Sequence, residues 1–519
     1  MIRSRPRFAL MAVAVAAIVS LGSPAGAAPA GTVEANVFLR NLTLAAGGPT
    51  VGEDLAVFLS SDRDGWASEV TFTVDVAAVT AVADVTVEPE GPDVTCSASG
   101  SVTRCAAPGP HRVIDVPDNG SFGVIAIPSV LISLTARAGA ATGDTGALTV
   151  TASADGGPVT TRTSRVRIGE GVNLTAVDAR PRSVAPGVSV ELRPEVRNSG
   201  SRDVGSVALV LTDGSALEGT NFGNCVYGDS TVCTFDTTLT AGRTYRISEP
   251  FTARAPRDAV AGSEAGTDVQ WLTGAEWEDL RDEGNWPADA RQGTGPGLRL
   301  TEVASRAGAQ APQADIDGDD NGASLTFTVS GARRADIAAI GATITGPPGA
   351  ERTIGVGLVN RGTGTLRYPP FLNNLPGVHV VLPPGLAVVR ADERCVDLSA
   401  EDPAGPPPPS AAATGAVPPL YLCTPETFKL APGRRLTFAF TVKVTSAARD
   451  GGGFVDVSMY GEPTVDRTPG NNRARIGVAA GGGGGGLPVT GTTAATVAGC
   501  GMLLVVAGAA IMTSLRRRR

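Results

Sequence analysis

The chain has 519 residues, a formal net charge of −8 from 43 Lys and Arg against 51 Asp and Glu, and two histidines. No basic block lies outside the two ends, which argues against a nucleic-acid partner, and so few histidines leave a zinc site almost no ligands. Glycine (66) and proline (38) are abundant and aromatics make up 4%, so composition points to β-structure with many turns.

In chain order, Met1 to Arg7 carries three arginines, Phe8 to Leu21 is apolar, and Ser23-Pro24-Ala25-Gly26-Ala27 supplies small residues. That pattern reads as a secretory signal peptide over 1–27. The remainder is long enough for about three domains, and internal repeats place them. Pro186-Gly187, ten residues, then Asn198-Ser199-Gly200 match Pro348-Gly349, ten residues, then Asn360-Arg361-Gly362. Between them Val188, Val190, Leu192 and Ile354, Val356, Leu358 alternate as half-buried strands would, and Asn-x-Gly supplies a turn. Leu239-x-x-Gly242-Arg243 corresponds to Leu430-x-x-Gly433-Arg434, and Asp315, five residues, Asn321 to Asp466, five residues, Asn472.

A more divergent first copy has alternating Val70, Phe72, Val74, Val76 and ends at Arg165-x-Arg167-Ile168-Gly169. The expected units are 28–170, 171–329 and 330–479. One face of each strand is apolar and the other polar, which suits two sheets packed face to face. The fold class expected is all-β, three tandem immunoglobulin-like β-sandwiches. Glu401 to Pro419 (EDPAGPPPPSAAATGAVPP) reads as an exposed, polyproline-like insertion in the third.

Seven cysteines divide into one in the C-terminal apolar stretch, Cys500, and three local pairs: Cys96 with Cys105, Cys225 with Cys233, and Cys395 with Cys423. In an exported protein such pairs read as disulfides. No Pro-rich or Gly-rich linker separates the units, so the junctions are expected to be short and stiff.

Three stretches carry enough chemistry to be weighed as sites. Trp271, Trp277 and Trp286 lie within sixteen residues beside five carboxylates. Aromatics with acids can stack on sugars, and carboxylate pairs can cleave them, but tryptophan also plugs the end of a sandwich core. Burial of the indoles would mark a scaffold, and an exposed aromatic groove a carbohydrate-binding surface. Asp317-x-Asp319-x-Asn321-Gly322 fits the first half of an EF-hand loop, yet its twelfth position is Thr328 where a bidentate Glu is required. The reading is an acidic turn with no metal, and Asp315, Asp317 and Asp319 are the side chains that would hold calcium were any bound. His111 and His379 have no nucleophile or carboxylate partner recognisable by motif and read as structural. No cofactor and no enzymatic activity are expected.

The C-terminus is the most specific stretch. Six glycines, Gly481 to Gly486, run into Leu487-Pro488-Val489-Thr490-Gly491, then a chargeless segment, Thr492 to Leu515, and Arg516 to Arg519. Twenty-four uncharged residues can cross a hydrocarbon core that needs about 20 in helix. The arginines would stay cytoplasmic, so everything before the span faces outward.

This arrangement resembles the sorting signal of Gram-positive surface proteins: LPxTG, apolar span, basic tail. The resemblance implies that a sortase cysteine attacks the Thr490 carbonyl, releases Gly491, and passes the acyl group to a cell-wall amine. The partners implied are sortase and peptidoglycan, and the location the cell wall after a transient membrane stage. A pilin shaft would need an acceptor lysine in a YPKN-like context, and only Lys429 and Lys443 occur, neither in one. The PG-x10-N-x-G strand, the cysteine pair before L-x-x-G, and the closing D-x5-N-x-A are similar to bacterial immunoglobulin-like conserved-repeat domains related to CARDB modules. That resemblance covers units two and three and, loosely, unit one. It implies extracellular spacing or adhesion and supplies no catalytic residues.

Overall fold

The computed structural model describes residues 33–480 apart from 62–64, 91–92, 114–125, 178–181, 213–216, 220, 229, 282–289, 303–311, 399–418, 426, 446–450 and 462–463. The signal-peptide reading, the glycine run, LPVTG, the apolar span, the arginine tail, Trp286 and nearly all of the proline-rich insertion lie outside the described residues. Among the described residues no helix is long and apolar enough to cross a membrane.

Alternation decides the fold. Arg435–Val444 buries Phe438, Phe440, Val442 and Val444 while the residues between them are exposed or half-buried, and Gly65–Asp75 buries Val70, Phe72 and Val74 in the same way. Such strands need a second apolar sheet to cover them. In the N-terminal third, a sheet ordered Val33–Phe38, Val51–Ser61, Ala126–Ala136, Ala83–Pro89 faces one ordered Leu42–Ala45, Thr160–Val172, Thr145–Ala154, Gly65–Asp75, Val102–Val113, Thr95–Ser99. The C-terminal third repeats this order with Ile337–Ile340, Glu351–Asn360, Arg435–Val444, Leu386–Arg390 against Ala342–Gly346, Arg473–Ala480, Phe454–Met459, Pro376–Val381, Leu420–Cys423, Cys395–Asp397.

The middle third keeps a four-stranded sheet from Leu174–Ala176 to Leu300–Glu302 and a longer opposing one centred on Val207–Thr212, and adds a small sheet of Ser189–Leu192, Phe251–Arg254 and Leu217–Glu218. In each third a short early strand runs parallel to the last one: Leu42–Ala45 on Thr160–Val172, Arg182–Val184 on Gly322–Val329, Ala342–Gly346 on Arg473–Ala480. Antiparallel sheets in this order are those of the immunoglobulin sandwich. Each pair of sheets encloses its own large buried cluster.

The sequence motifs turn out to be one structural bracket. Asn198 and Asn360 are fully buried. Asn198 Nδ2 donates to Arg202 O (2.7 Å) and Leu239 O (2.8 Å), and its Oδ1 accepts from Gly200 N (3.1 Å). Asn360 Nδ2 donates to Gly364 O (2.8 Å) and Leu430 O (2.9 Å), and its Oδ1 accepts from Gly362 N (2.9 Å). The L-x-x-G turn docks onto the same asparagine, with Gly242 N on Asn198 O and Gly433 N on Asn360 O. Asn-x-Gly is therefore more than a turn. It satisfies buried backbone groups that would otherwise be orphaned. Its glycine is obligatory at Gly362, where a Cβ would sit 2.2 Å from Arg334 O.

The three cysteine pairs face each other directly across neighbouring strands, and all are bonded. Cα–Cα separations are 4.1 Å for Cys96–Cys105, 4.0 Å for Cys225–Cys233 and 4.0 Å for Cys395–Cys423. Spacing presents Cys225 and Cys233 only as the two ends of a short loop, and the structure adds that both are core. Cys233 lies in the strand Thr231–Phe235, opposite Cys225 on one side and Leu209 on the other, and is fully buried in the middle cluster. Cys96, by contrast, is only half-buried. Val188, expected to alternate inward, is exposed because the strand begins one residue later, at Ser189, after the Pro186-Gly187 turn.

Candidate functional site

The described chemistry concentrates where one sandwich meets the next. The first junction is organised by the helix Gly274–Arg281, which the strand pattern alone does not announce. Thr273 and Glu276 form a capping box: Thr273 N donates to Glu276 Oε2 (2.8 Å) and Glu276 N donates to Thr273 Oγ1 (3.2 Å). An acidic residue in the first turn and Arg281 in the last suit the helix dipole. The T-x-x-E at 273–276 was the readable signal for this helix.

Trp277 on this helix packs on Ala208, Val210 and Val232, the outer face of the middle sandwich, while Trp271 lies fully buried between the sheets, 6.1 Å from the Phe235 ring. These two indoles are thus inside, on opposite faces of one sheet, and do not line an exposed groove.

Asp279, 2% exposed, points from the helix to the N-terminal sandwich. Its Oδ2 accepts from the Thr43 hydroxyl, and Arg165 and Arg167 reach Oδ1 at 3.2 and 3.5 Å. Burial raises its carboxyl above the ordinary range; the Thr43 bond and the arginines oppose this. Arg167 also donates to the Ala275 carbonyl (2.8 Å) and to Thr43 Oγ1 (2.7 Å).

Beside this cluster, Glu170–Val172 at the end of the N-terminal sandwich's last strand pairs in parallel with Gln313–Asp315 of the middle sandwich. Buried Gln313 bridges Gly205 N and Asp203 O at 2.8 Å each. The expected unit boundary at 170/171 is therefore crossed by continuous hydrogen bonding.

Asp315 is buried while Asp317 and Asp319 are exposed, so the three sequence candidates for calcium do not converge. Asp315 accepts from Leu174 N (2.6 Å) and Asp317 N (2.8 Å), and burial pushes its carboxyl up to about 7. Among the described residues no group of three or more His, Cys, Asp or Glu is gathered as a metal site. His111 Nε2 lies 3.1 Å from Ala107 O, and His379 sits within the strand Pro376–Val381. Cys225 and Cys233 are tied up in their disulfide and enclosed by the middle core, so neither presents a thiol for chemistry.

The second junction exchanges apolar side chains. Val260, from the middle sandwich, is fully buried in the C-terminal cluster, and Phe371, from the C-terminal sandwich, is fully buried in the middle one. Buried Asn373 donates to Gly262 O (2.8 Å) and accepts from Glu264 N (3.0 Å). Arg367 pairs with Asp258 at 2.7 Å, and the guanidinium holds that carboxyl down at about 2. A shallow cleft of about 360 Å³ beside Arg367, Tyr368, Phe428 and Lys429 is open to solvent.

No protein-family profile matches the chain, and no curated protein matches it, so the conserved-repeat resemblance has no family match behind it. Solved structures similar to it include a Corynebacterium diphtheriae protein provisionally described as membrane anchored, at 11% identity over 89% of this chain and 97% of that one, TM-score 0.15. The C-terminal domain of the Streptococcus agalactiae AgI/II polypeptide BspA matches at 10% identity over 52% of this chain and 100% of that one, TM-score 0.17. Titin domains I67–I69 match at 8% identity over 86% and 98%, TM-score 0.14. At such scores the likenesses carry no argument, and the fold assignment rests on the sheet orders above.

Proposed function

We propose that the chain is a non-enzymatic surface protein that presents three immunoglobulin-like domains in a row, held to peptidoglycan through Thr490 after sortase cleavage, with a structural or adhesive role. The observation that carries the reading is the pair of junctions. Backbone pairing at Glu170–Val172 and the Val260/Phe371 exchange fit a stiff tandem array rather than beads on a string. One cross-strand disulfide per sandwich suits an oxidising, extracellular setting.

The proposal includes export by the segment 1–27, a transient span at 492–515, and origin in a Gram-positive, high-GC bacterium. The carbohydrate-binding alternative centred on Trp271, Trp277 and Trp286 is disfavoured by the burial of the first two indoles. The test is mass spectrometry of protein released from purified cell walls by a peptidoglycan hydrolase. The expected C-terminal peptide ends at Thr490 and carries cell-wall amine. Recovery of Arg519 intact in the membrane fraction would overturn the anchoring.

A further inference from the structure

Among the described residues ten buried side-chain polar atoms lack a hydrogen-bond partner; five of them fall in two equivalent loops, and a sixth, on Asn173, lies beside the first. Around the loop 315–321 they are Asn173 Oδ1, Asp320 Oδ1 and Asn321 Oδ1; in the loop 466–472 they are Asp466 Oδ2, Asn471 Oδ1 and Asn472 Oδ1. The loops are built alike. Asp315 Oδ1 accepts from Asp317 N (2.8 Å) and Asp466 Oδ1 from Thr468 N (3.0 Å), a single 3-10 turn follows, and Asn321 O and Asn472 O then accept from the neighbouring strand at 3.0 and 2.9 Å.

All six orphans are oxygens. An orphaned buried acceptor is costly, and clustering acceptors with no donor invites a cation rather than another side chain. Around 315–321 the charge agrees: Asp315, Asp317, Asp319 and Asp320 lie within six residues, and among the described residues none has an ion-pair partner. Asn321, 2% exposed, hydrogen-bonds the Asp315 carboxyl through its side chain. Asp320 Oδ2 accepts from the Thr175 hydroxyl (2.8 Å), and Asn173 lies two residues before Thr175, on the same side of an extended chain.

We propose that Asn173, Asp320 and Asn321 form a calcium site at the start of the middle sandwich, with the buried Asp315 carboxyl behind it. Carboxylate and amide oxygens are calcium's ligands, whereas magnesium demands a stricter octahedron and zinc prefers nitrogen or sulfur. The site lies outside the Asp315/Asp317/Asp319 set that sequence spacing suggests. Two of its three ligands are amides, which is why a search for acidic clusters passes over it. Bound calcium would tie residues 173–175 to the loop that follows the junction strand Gln313–Asp315, and so stiffen the first junction. The loop 466–472, with Asn471 in place of Asp320 and Thr468 and Gly470 in place of Asp317 and Asp319, is the weaker copy.

The test is isothermal titration of the chelator-stripped full chain in detergent with CaCl2. The expected dissociation constant is about 10⁻⁴–10⁻³ M, the range of extracellular calcium modules. Asp320→Asn should weaken binding at least ~10-fold, since even the outer-shell partners of metal ligands cost about 10–100-fold when mutated, and exposed Asp319→Asn should leave it nearly unchanged. Asn173→Asp, which adds a carboxylate without changing shape, should tighten it, so the proposal stays testable if Asp320→Asn misfolds. Amides of 315–321 should gain exchange protection with calcium and not with magnesium. Absence of binding at calcium well above that range, or equal losses in Asp319→Asn and Asp320→Asn, would overturn the site. The first would mean that water satisfies these oxygens, the second that calcium sees only a diffuse acidic surface.

Discussion

The junction between the N-terminal and middle sandwiches and the junction between the middle and C-terminal ones join the same kinds of sheet by different chemistry. The first is polar: one buried carboxylate, Asp279, held by Thr43, Arg165 and Arg167, beside a three-residue parallel ladder. The second is apolar: Val260 and Phe371 each complete the other side's core. A buried ion pair gains little net stability because desolvation offsets most of the attraction. A buried phenyl ring contributes about 3–5 kcal/mol. Both junctions fix orientation, but only the second should make neighbouring sandwiches unfold together.

The sharpest way to break that distinction is Phe371→Ala. It should destabilise by about 3–5 kcal/mol and split one calorimetric transition, shared by the middle and C-terminal sandwiches, into two. A single transition that shifts without splitting would show that Phe371 is core and not coupler. The disulfides ask the same question from inside each sandwich. Cys395–Cys423 spans 28 residues and Cys96–Cys105 spans 9. On the chain-entropy estimate their removal costs about 3.5 and about 2.5 kcal/mol. Cys423→Ala should lower the transition of the middle sandwich as well as its own. Cys105→Ala should leave the middle sandwich untouched, as calorimetry of the two variants would show.

Much of this architecture was legible in the residues, and the illegible part has a physical reason. Period-two alternation around Phe72 and Phe440 fixed which faces are buried, and spacing alone paired the cysteines. Spacing did not show that Cys233 is core, because that follows from its place between the strands of Cys225 and Leu209. The repeated Asn198 and Asn360 marked a turn but not a buried bracket, because a hydrogen bond to Leu239 O, 41 residues away, leaves no local trace. Asp279 was one acid among five in a tryptophan-rich stretch. Its role depends on Thr43, 236 residues earlier, and no local pattern encodes that distance. Phe371 follows two prolines and belongs to none of the repeated motifs; only the fold shows that it fills its neighbour's core.

Asp279→Ala probes the polar junction with a smaller expected effect. It takes the acceptor from the Thr43 hydroxyl and one of several partners from Arg167, whereas Arg165 is exposed enough to turn to water. The cost should be about 1–2 kcal/mol, that of partners left unsatisfied. It should appear as faster amide exchange in 274–281 and at Glu170–Val172, with the second junction unchanged. Equal loosening of both junctions would mean that the chain is one cooperative body and that the two joints are not distinct.

The smallest effect, and the one that separates the junctions by sign, is the dependence on pH. Asp279 is raised by burial above its unfolded value of 3.8, so its folded form binds the proton more tightly. Stability at the first junction is then greatest below 3.8 and declines as pH rises from there through the raised value, because the unfolded chain ionises first. Asp258 is lowered to about 2 by Arg367, so the second junction behaves oppositely: its contribution is complete above 3.8 and disappears as pH falls toward 2. Amide exchange corrected for intrinsic rates, followed at 274–281 and at 258–265 across acid pH, should show the two segments drifting in opposite directions. Asp279→Asn should shrink the first drift to the part set by Asp315, whose carboxyl burial raises to about 7 in the same junction strand, and leave the second. Parallel drifts, or a first drift that Asp279→Asn leaves undiminished, would take the pH response away from Asp279 and Asp258.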